Sequence, residues 1–203
     1  MGYRIRVFAL NDGIISISEL RQLIEVENLP VELILEERQG DEGWEAIIIR
    51  HLEGADVAFI ERNQVIAGEL GAAEIAEFIS ELEYYEPQSA SRWLAVYLLK
   101  VQTIYSIQIL GGADRPGGWK AVHAIQSAIR DSQGGLLQAD GEGFSNESGD
   151  LILWQFSDSP KGNWRMALLD EEGKWIRFRM EIDDPAQRAA FMRGEVPAGV
   201  QVF

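Results

Sequence analysis

The chain has no cysteine and two histidines, His51 and His123, among 203 residues. Without thiols there are no disulfide staples, no thiolate zinc or iron–sulfur ligation and no cysteine nucleophile. With two histidines, a Ser-His-Asp triad or a multi-histidine metal centre has almost no raw material. Each histidine also lacks a local partner of triad type, so both read as structural. Basic residues are scarce too: 18 Lys+Arg stand against 33 Asp+Glu, a formal charge of −15. Binding a nucleic-acid backbone needs clustered Lys and Arg, so nucleic acid is not an expected partner. The most apolar stretch, residues 93–99, stops at Lys100 and falls far short of the ~20 residues of a membrane span. The opening Met-Gly-Tyr-Arg-Ile-Arg lacks the apolar core of a signal peptide and, with Arg6, the Ser or Thr of a myristoylation signal. The expectation is a soluble cytoplasmic protein with no membrane partner. No phosphate-loop, dinucleotide-binding, nucleophile-elbow or zinc-protease motif occurs, so no cofactor is expected and no catalytic residue is assigned.

What is present suffices for a sizeable core: 46% of residues are apolar, including 6 Trp, 5 Tyr and 8 Phe. Residues 3–10 alternate as a strand. Ser16 and Glu19 form a capping-box pattern that opens a helix with Leu20, Leu23 and Ile24 on one face. Residues 31–37, 44–51 and 56–61 follow as short strands between turn-forming segments. Residues 71–86 are helical, with Ile75, Phe78, Ile79 and Leu82 on one side and Glu74, Glu77 and Glu81 on the other. Pro87-Gln88-Ser89 is the sharpest break, and Ser89 or Ser91 can cap the next helix, which runs to about Lys100. Beyond it come a strand at 101–110, a glycine-rich loop at 111–118, a helix ended by Gly134-Gly135, and strands near 136–139, 151–156, 164–169 and 174–182. Asp184 as cap and Pro185 in the first helical position open a short last helix.

This order predicts an α+β fold of two layers, mainly antiparallel sheets covered by helices, with two similar β-α-β-β-β units, the alternative being a single continuous sheet and one continuous domain through both halves. The break at Pro87 divides it into an acidic N-terminal unit, residues 1–86, and a C-terminal unit, residues 87–203. Residues 1–100 hold 8 basic and 19 acidic side chains, whereas 101–203 hold 10 and 14.

Four constellations bear on function. In residues 164–182 the second strand alternates, with Ile176, Phe178, Met180 and Ile182 one way and Trp175, Arg177 and Arg179 the other. A turn at 170–173 sets Leu168 opposite Trp175, Met166 opposite Arg177 and Trp164 opposite Arg179. The resulting Trp/Arg face suits stacking of a planar anion or a partner hot spot, unless another element buries it. The glycine-rich loop puts Gly117 and Gly118 at a helix start near Arg115 and Lys120, where free backbone N–H groups can hold an anion, although Asp114 opposes one. The loop 140–150 does not fit an EF-hand, and Asp140, Glu142 and Glu147 are the carboxylates it offers to a hard cation. Glu36-Glu37 and Asp41-Glu42 read as solvated loop charge.

The leading expectation is a protein-interaction module that docks a basic partner, with Glu74, Glu77 and Glu81 steering and Trp164 and Trp175 supplying affinity. Inhibitory or immunity-type binding of a cationic toxin or nuclease is one form of it. The competing expectation is a small-molecule or enzymatic domain holding an anionic ligand between the Arg177/Arg179 face and the Gly117-Gly118 helix start. A third is a purely structural role, in which the two halves bury the Trp/Arg face and the chain self-associates as a homo-oligomer.

Overall fold

The computed structural model describes residues 2–35, 43–156 and 160–203. In chain order the elements are β1 (Arg4–Ala9), α1 (Ile17–Val26), β2 (Val31–Leu35), β3 (Ala46–His51), β4 (Asp56–Gln64), α2 (Leu70–Glu81), α3 (Gln88–Leu98) and β5 (Thr103–Ile109). They continue with α4 (Gly118–Gln133), β6 (Leu136–Ala139), β7 (Gly143–Ser145), β8 (Leu151–Trp154), β9 (Asn163–Leu169), β10 (Trp175–Glu181), α5 (Pro185–Met192) and β11 (Gln201–Val202). The fold is α+β and its strand pairings are mostly antiparallel. No helix among the described residues is long and apolar enough to cross a membrane.

Two compact units emerge, each discontinuous in sequence: Met1–Ala72 with Val101–Gly135, and Ala73–Lys100 with Leu136–Phe203. Pro87, read from the sequence as a boundary, lies inside the second unit. The expected repetition of a β-α-β-β-β unit is not what forms. β5 and α4, the strand and helix that would have opened the second copy, belong to the first unit. The reason is pairing: β5 lies between β1 and β4 and completes the ladders of both, from Arg4↔Gln108 to Ala9↔Thr103 and from Ala58↔Ile109 to Gln64↔Thr103. Without it, both strands would present a row of unpaired N–H and C=O groups.

In the first unit the strands run β1-β5-β4-β3-β2, all antiparallel. α1 starts where its capping box predicts. The Ser16 side chain accepts from Glu19 N–H at 3.1 Å while the Glu19 carboxylate accepts from Ser16 N–H at 2.8 Å. This arrangement satisfies two otherwise orphaned donors, and Ile17, Leu20 and Ile24 are buried along one stripe. The buried Trp44 indole donates to Ile15 O at 2.8 Å, and the Tyr105 hydroxyl donates to Gly13 O at 2.9 Å. Their rings lie 5.8 Å apart, so two aromatic side chains hold the segment before α1.

In the second unit β6, β7 and β8 pair antiparallel, β8 meets β9 in one parallel step at Leu151↔Met166, and β10 lies between β9 and β11. One face carries a core of Leu151, Trp154, Met166, Leu168, Phe178, Met180 and Ile182, closed by Phe191 of α5. Burying a side chain such as Phe178 or Phe191 is worth about 2–3 kcal/mol. α5 opens as expected, with Asp184 accepting from Ala186 N–H at 2.8 Å and Gln187 N–H at 3.2 Å and Pro185 in the first helical position. α3 does not use its serines as predicted. Pro87 stands at the cap position, and Ser91, one turn in, donates its hydroxyl to Leu82 O.

Candidate functional site

The turn between β9 and β10 decides which side chains meet. Asp170 accepts through one carboxylate oxygen from Glu172 N–H at 2.9 Å and Lys174 N–H at 2.8 Å. Gly173 follows with φ +79°, a left-handed conformation that glycine adopts without strain. Asp170 N–H donates to Lys174 O at 2.9 Å, so these two residues pair and three residues form the loop. The register is therefore Trp175↔Leu169, Arg177↔Ala167, Arg179↔Arg165 and Met180↔Trp164. This is one residue away from the pairing expected above, and in a strand a shift of one turns every side chain to the opposite face. Trp164 consequently leaves the proposed Trp/Arg patch. It packs at the margin of the α5-covered core, edge-on to Phe156 at 5.1 Å, with its indole donating to Lys161 O at 3.2 Å. Arg165 takes its place beside Arg177 and Arg179.

Trp175 remains on the arginine face but is engaged there. Trp93 of α3 meets it edge-on at 5.0 Å, and Trp93 in turn stacks on Tyr97 at 5.2 Å. Burial pushes the Tyr97 phenol well above its ordinary value, with the nearby Glu147 carboxylate acting in the same direction.

The other end of that face is a built polar site. Asn146 Oδ1 accepts from Ser148 N–H and Asp150 N–H, each at 3.0 Å, while Asn146 N–H donates to Asp150 O at 2.9 Å. This side-chain-closed turn delivers Asp150 to the start of β8, where it is fully buried. Its two oxygens accept separately, Oδ1 from Arg165 Nε at 2.7 Å and Oδ2 from Arg177 Nε at 2.6 Å. Arg165 Nη2 also donates to Ser148 O at 3.1 Å. The Phe203 ring lies 5.9 Å from Arg165 Cζ and 5.3 Å from Arg177 Cζ, within cation–π range, and Phe203 N–H donates to Arg177 O at 3.0 Å. Arg179 stands directly across from Arg165, and its only polar contact among the described residues is Asn163 Oδ1 at 3.4 Å. Arg165, Arg177, Arg179, Gln201 and Phe203 line an open pocket of about 330 Å³. Among the described side chains, three guanidinium groups against one carboxylate leave two positive charges there. Such a pocket can bind an anion through the remaining N–H groups and offer an aromatic wall to whatever the anion carries.

The other sequence-derived residues are placed differently. Gly117 and Gly118 precede and open α4 in the first unit, whereas Arg177 and Arg179 belong to the second. Both glycines serve close packing: a Cβ on Gly117 would lie 2.7 Å from the Pro30 ring, and one on Gly118 2.5 Å from Ala113 O. The cations beside this helix start are compensated, Arg115 by Glu53 at 2.7 Å and Lys120 by Glu27 at 3.3 Å. Glu77 and Glu81 are exposed on α2 one turn apart, and Glu74 is half-buried. Among the described residues no group of three or more His, Asp or Glu side chains could hold a metal, Asp140, Glu142 and Glu147 included. Glu36, Glu37, Asp41 and Glu42 lie outside the described residues. His51 is buried, with Nδ1 accepting from Glu53 N–H at 3.2 Å and Nε2 3.3 Å from Pro116 O, while His123 stacks on Trp119 at 5.6 Å.

Sequence reasoning passed over Arg165, Gln201 and Phe203, and met Asp150 only as the last carboxylate of the 140–150 loop. One signal was available: Asn146, with Gly149 and Asp150 following just before the apolar Leu-Ile-Leu-Trp run, is the pattern of an Asx turn feeding a strand. Compared with known proteins, the chain matches no family model, no curated protein and no solved structure.

Proposed function

We propose that the protein binds a small anionic ligand at the Arg165, Arg177 and Arg179 face. The observation that carries this reading is the Arg179↔Arg165 pair. Like charges directly across two strands destabilise a sheet. Here they are juxtaposed in a chain with 33 acidic side chains, yet Asp150 is the only acid that pairs with these arginines among the described residues. Residues held in an unfavourable arrangement are characteristic of binding sites, where a ligand supplies the missing countercharge. The test is a thermal-shift titration with inorganic phosphate and simple carboxylates. A ligand at a hundred times its Kd stabilises the folded state by about 2.7 kcal/mol. For a chain of this size that corresponds to a rise in Tm of about 5–10 °C. Arg179→Ala removes a guanidinium that makes no ion pair among the described residues, so it is expected to reduce the shift sharply without lowering the stability of the ligand-free protein. A flat response to every anion, in wild type and variant alike, refutes the reading.

The exposed carboxylates of Glu77 and Glu81 support a second reading, docking of a basic protein, with inhibitory or immunity-type binding as one form. Like charges one turn apart on a helix cost a few tenths of a kcal/mol and are relieved by a cationic partner. Under this reading, Glu77→Gln with Glu81→Gln slows association with a basic partner and removes its salt dependence while the fold is retained. Association that is insensitive to both salt and these substitutions counts against it.

A further inference from the structure

We infer that the ligand of the arginine pocket is a phosphate monoester carrying a planar ring, an inference that rests on the anion-binding reading above. Charge provides the first argument. Among the described side chains, Arg165, Arg177 and Arg179 less Asp150 leave two positive charges, and a phosphate monoester near neutral pH carries about −1.5 to −2, whereas a carboxylate carries one negative charge. Glu181, the next acid along the same face of β10, keeps its charge but lies outside the lining, where its carboxylate accepts from Asn163 Nδ2 at 2.8 Å.

Donor geometry provides the second argument. Asp150 occupies the Nε–H of both Arg165 and Arg177, and Ser148 O occupies Arg165 Nη2. Among the described residues the remaining donors are the Nη1 end of Arg165, both Nη groups of Arg177, and the Nε and Nη2 of Arg179. They come from three side chains on two strands rather than from one flat fork. A single planar carboxylate is satisfied by one guanidinium edge, while the three terminal oxygens of a phosphoryl group can accept from all three side chains. By engaging both Nε groups, Asp150 acts as a positioning residue that leaves the Nη ends for the ligand.

The ring requirement comes from Phe203. It contacts the guanidinium groups of Arg165 and Arg177 and is still half exposed, so it offers aromatic surface at the wall of the pocket that Gln201 also lines. At about 330 Å³ the pocket is at the small end of ligand sites, suited to a monoester of one or two rings rather than to a dinucleotide.

The test is isothermal titration calorimetry of the full chain with phenyl phosphate, inorganic phosphate, benzoate and adenosine monophosphate. At pH 7.5 phenyl phosphate or adenosine monophosphate is expected to bind at least tenfold more tightly than benzoate, and more tightly than inorganic phosphate. Whichever ester binds more tightly identifies an aryl or a nucleoside source. Phe203→Leu is expected to remove the advantage of the ester over inorganic phosphate and leave phosphate binding intact. Arg179→Ala is expected to weaken both. Lowering the pH to 5.5, below the second ionisation of the ester near 6, weakens ester binding severalfold and leaves benzoate binding unchanged. Benzoate binding as tightly as the esters overturns the phosphate assignment and leaves the anion reading standing. Esters no tighter than inorganic phosphate overturn the ring. No binding by any of the four overturns both readings.

Discussion

Asp150→Asn is the most informative substitution, because it keeps the shape of a fully buried side chain and removes only its charge and one acceptor. In the native protein each oxygen accepts a charge-assisted hydrogen bond, at 2.7 Å from Arg165 and 2.6 Å from Arg177. Bonds of this kind are each worth about 1.5–3 kcal/mol. An asparagine can accept from only one of the two Nε–H groups and presents its own NH2 to the other. One bond is therefore lost, the second becomes less strong, and one donor faces another. The arginine side chains keep 39% and 35% of their exposure, so water recovers part of the loss. The expected net cost is about 3 kcal/mol, below the 3–5 kcal/mol range's upper end for breaking a fully buried pair. For a chain of this length that corresponds to a fall in Tm of about 6–12 °C. Urea unfolding followed by tryptophan fluorescence is the suitable assay, because Trp93, Trp154, Trp164 and Trp175 all lie in the unit that contains Asp150. If Asp150→Asn unfolds within about 0.5 kcal/mol of wild type, the change expected of an ordinary surface substitution, the carboxylate does not hold the two strands and the argument fails.

Three further outcomes follow from the packing. Gly143 has φ +132° and a Cβ there would run into Leu153 O, so Gly143→Ala is expected to cost more than about 2 kcal/mol in chemical denaturation; a neutral result would mean β7 does not approach β8 as described. Tyr97 and Tyr105 are buried with phenols raised above the ordinary value of 10.0, so the folded state holds their protons more tightly than the unfolded chain does. Their contribution is fully present below pH 10 and is lost as pH rises from there toward the folded values, by about 1.4 kcal/mol per pH unit for each; alkaline denaturation with no stability loss above pH 10 contradicts it. For His51, the Glu53 N–H directed at Nδ1 and the Pro116 carbonyl facing Nε2 demand a neutral ring protonated on Nε2, and a long-range proton–nitrogen NMR spectrum showing the Nδ1–H tautomer would disprove that assignment.

Local signals in the sequence were dependable wherever one residue's chemistry settles one backbone group. Ser16 with Glu19 marks the start of α1, Asp184 with Pro185 marks the start of α5, and Gly134 ends α4 with φ +66°. Alternation was equally sound within a strand: Phe178, Met180 and Ile182 are buried in the core while Arg177 and Arg179 reach the pocket. What no local pattern expresses is which strand lies beside which. Val101 to Gly135 reads as the opening of a second unit, yet β5 joins the first because β1 and β4 both need a partner there. β7 and β11 also escaped notice, since strands of 3 and 2 residues are too short to show a period and exist only through their neighbours.

The arginine site shows how little separates a legible face from an illegible one. Periodicity states that Arg177 and Arg179 share a side of β10, but it says nothing about whether Trp164 or Arg165 stands across from Arg179. That depends on whether the turn holds an even or an odd number of residues. The carboxylate of Asp170 resolves it by taking the N–H of both Glu172 and Lys174, which closes a three-residue loop with Gly173 in the left-handed position. One residue more in the loop would have placed Trp164, Met166 and Leu168 beside the arginines and turned Arg165 toward Phe178 and Phe191. A guanidinium in that core would have left Asp150 behind on the opposite face. Register, core and binding face are thus one choice: the hydrophobic side of β9 selects the three-residue turn, and the same selection gathers three arginines around one buried aspartate.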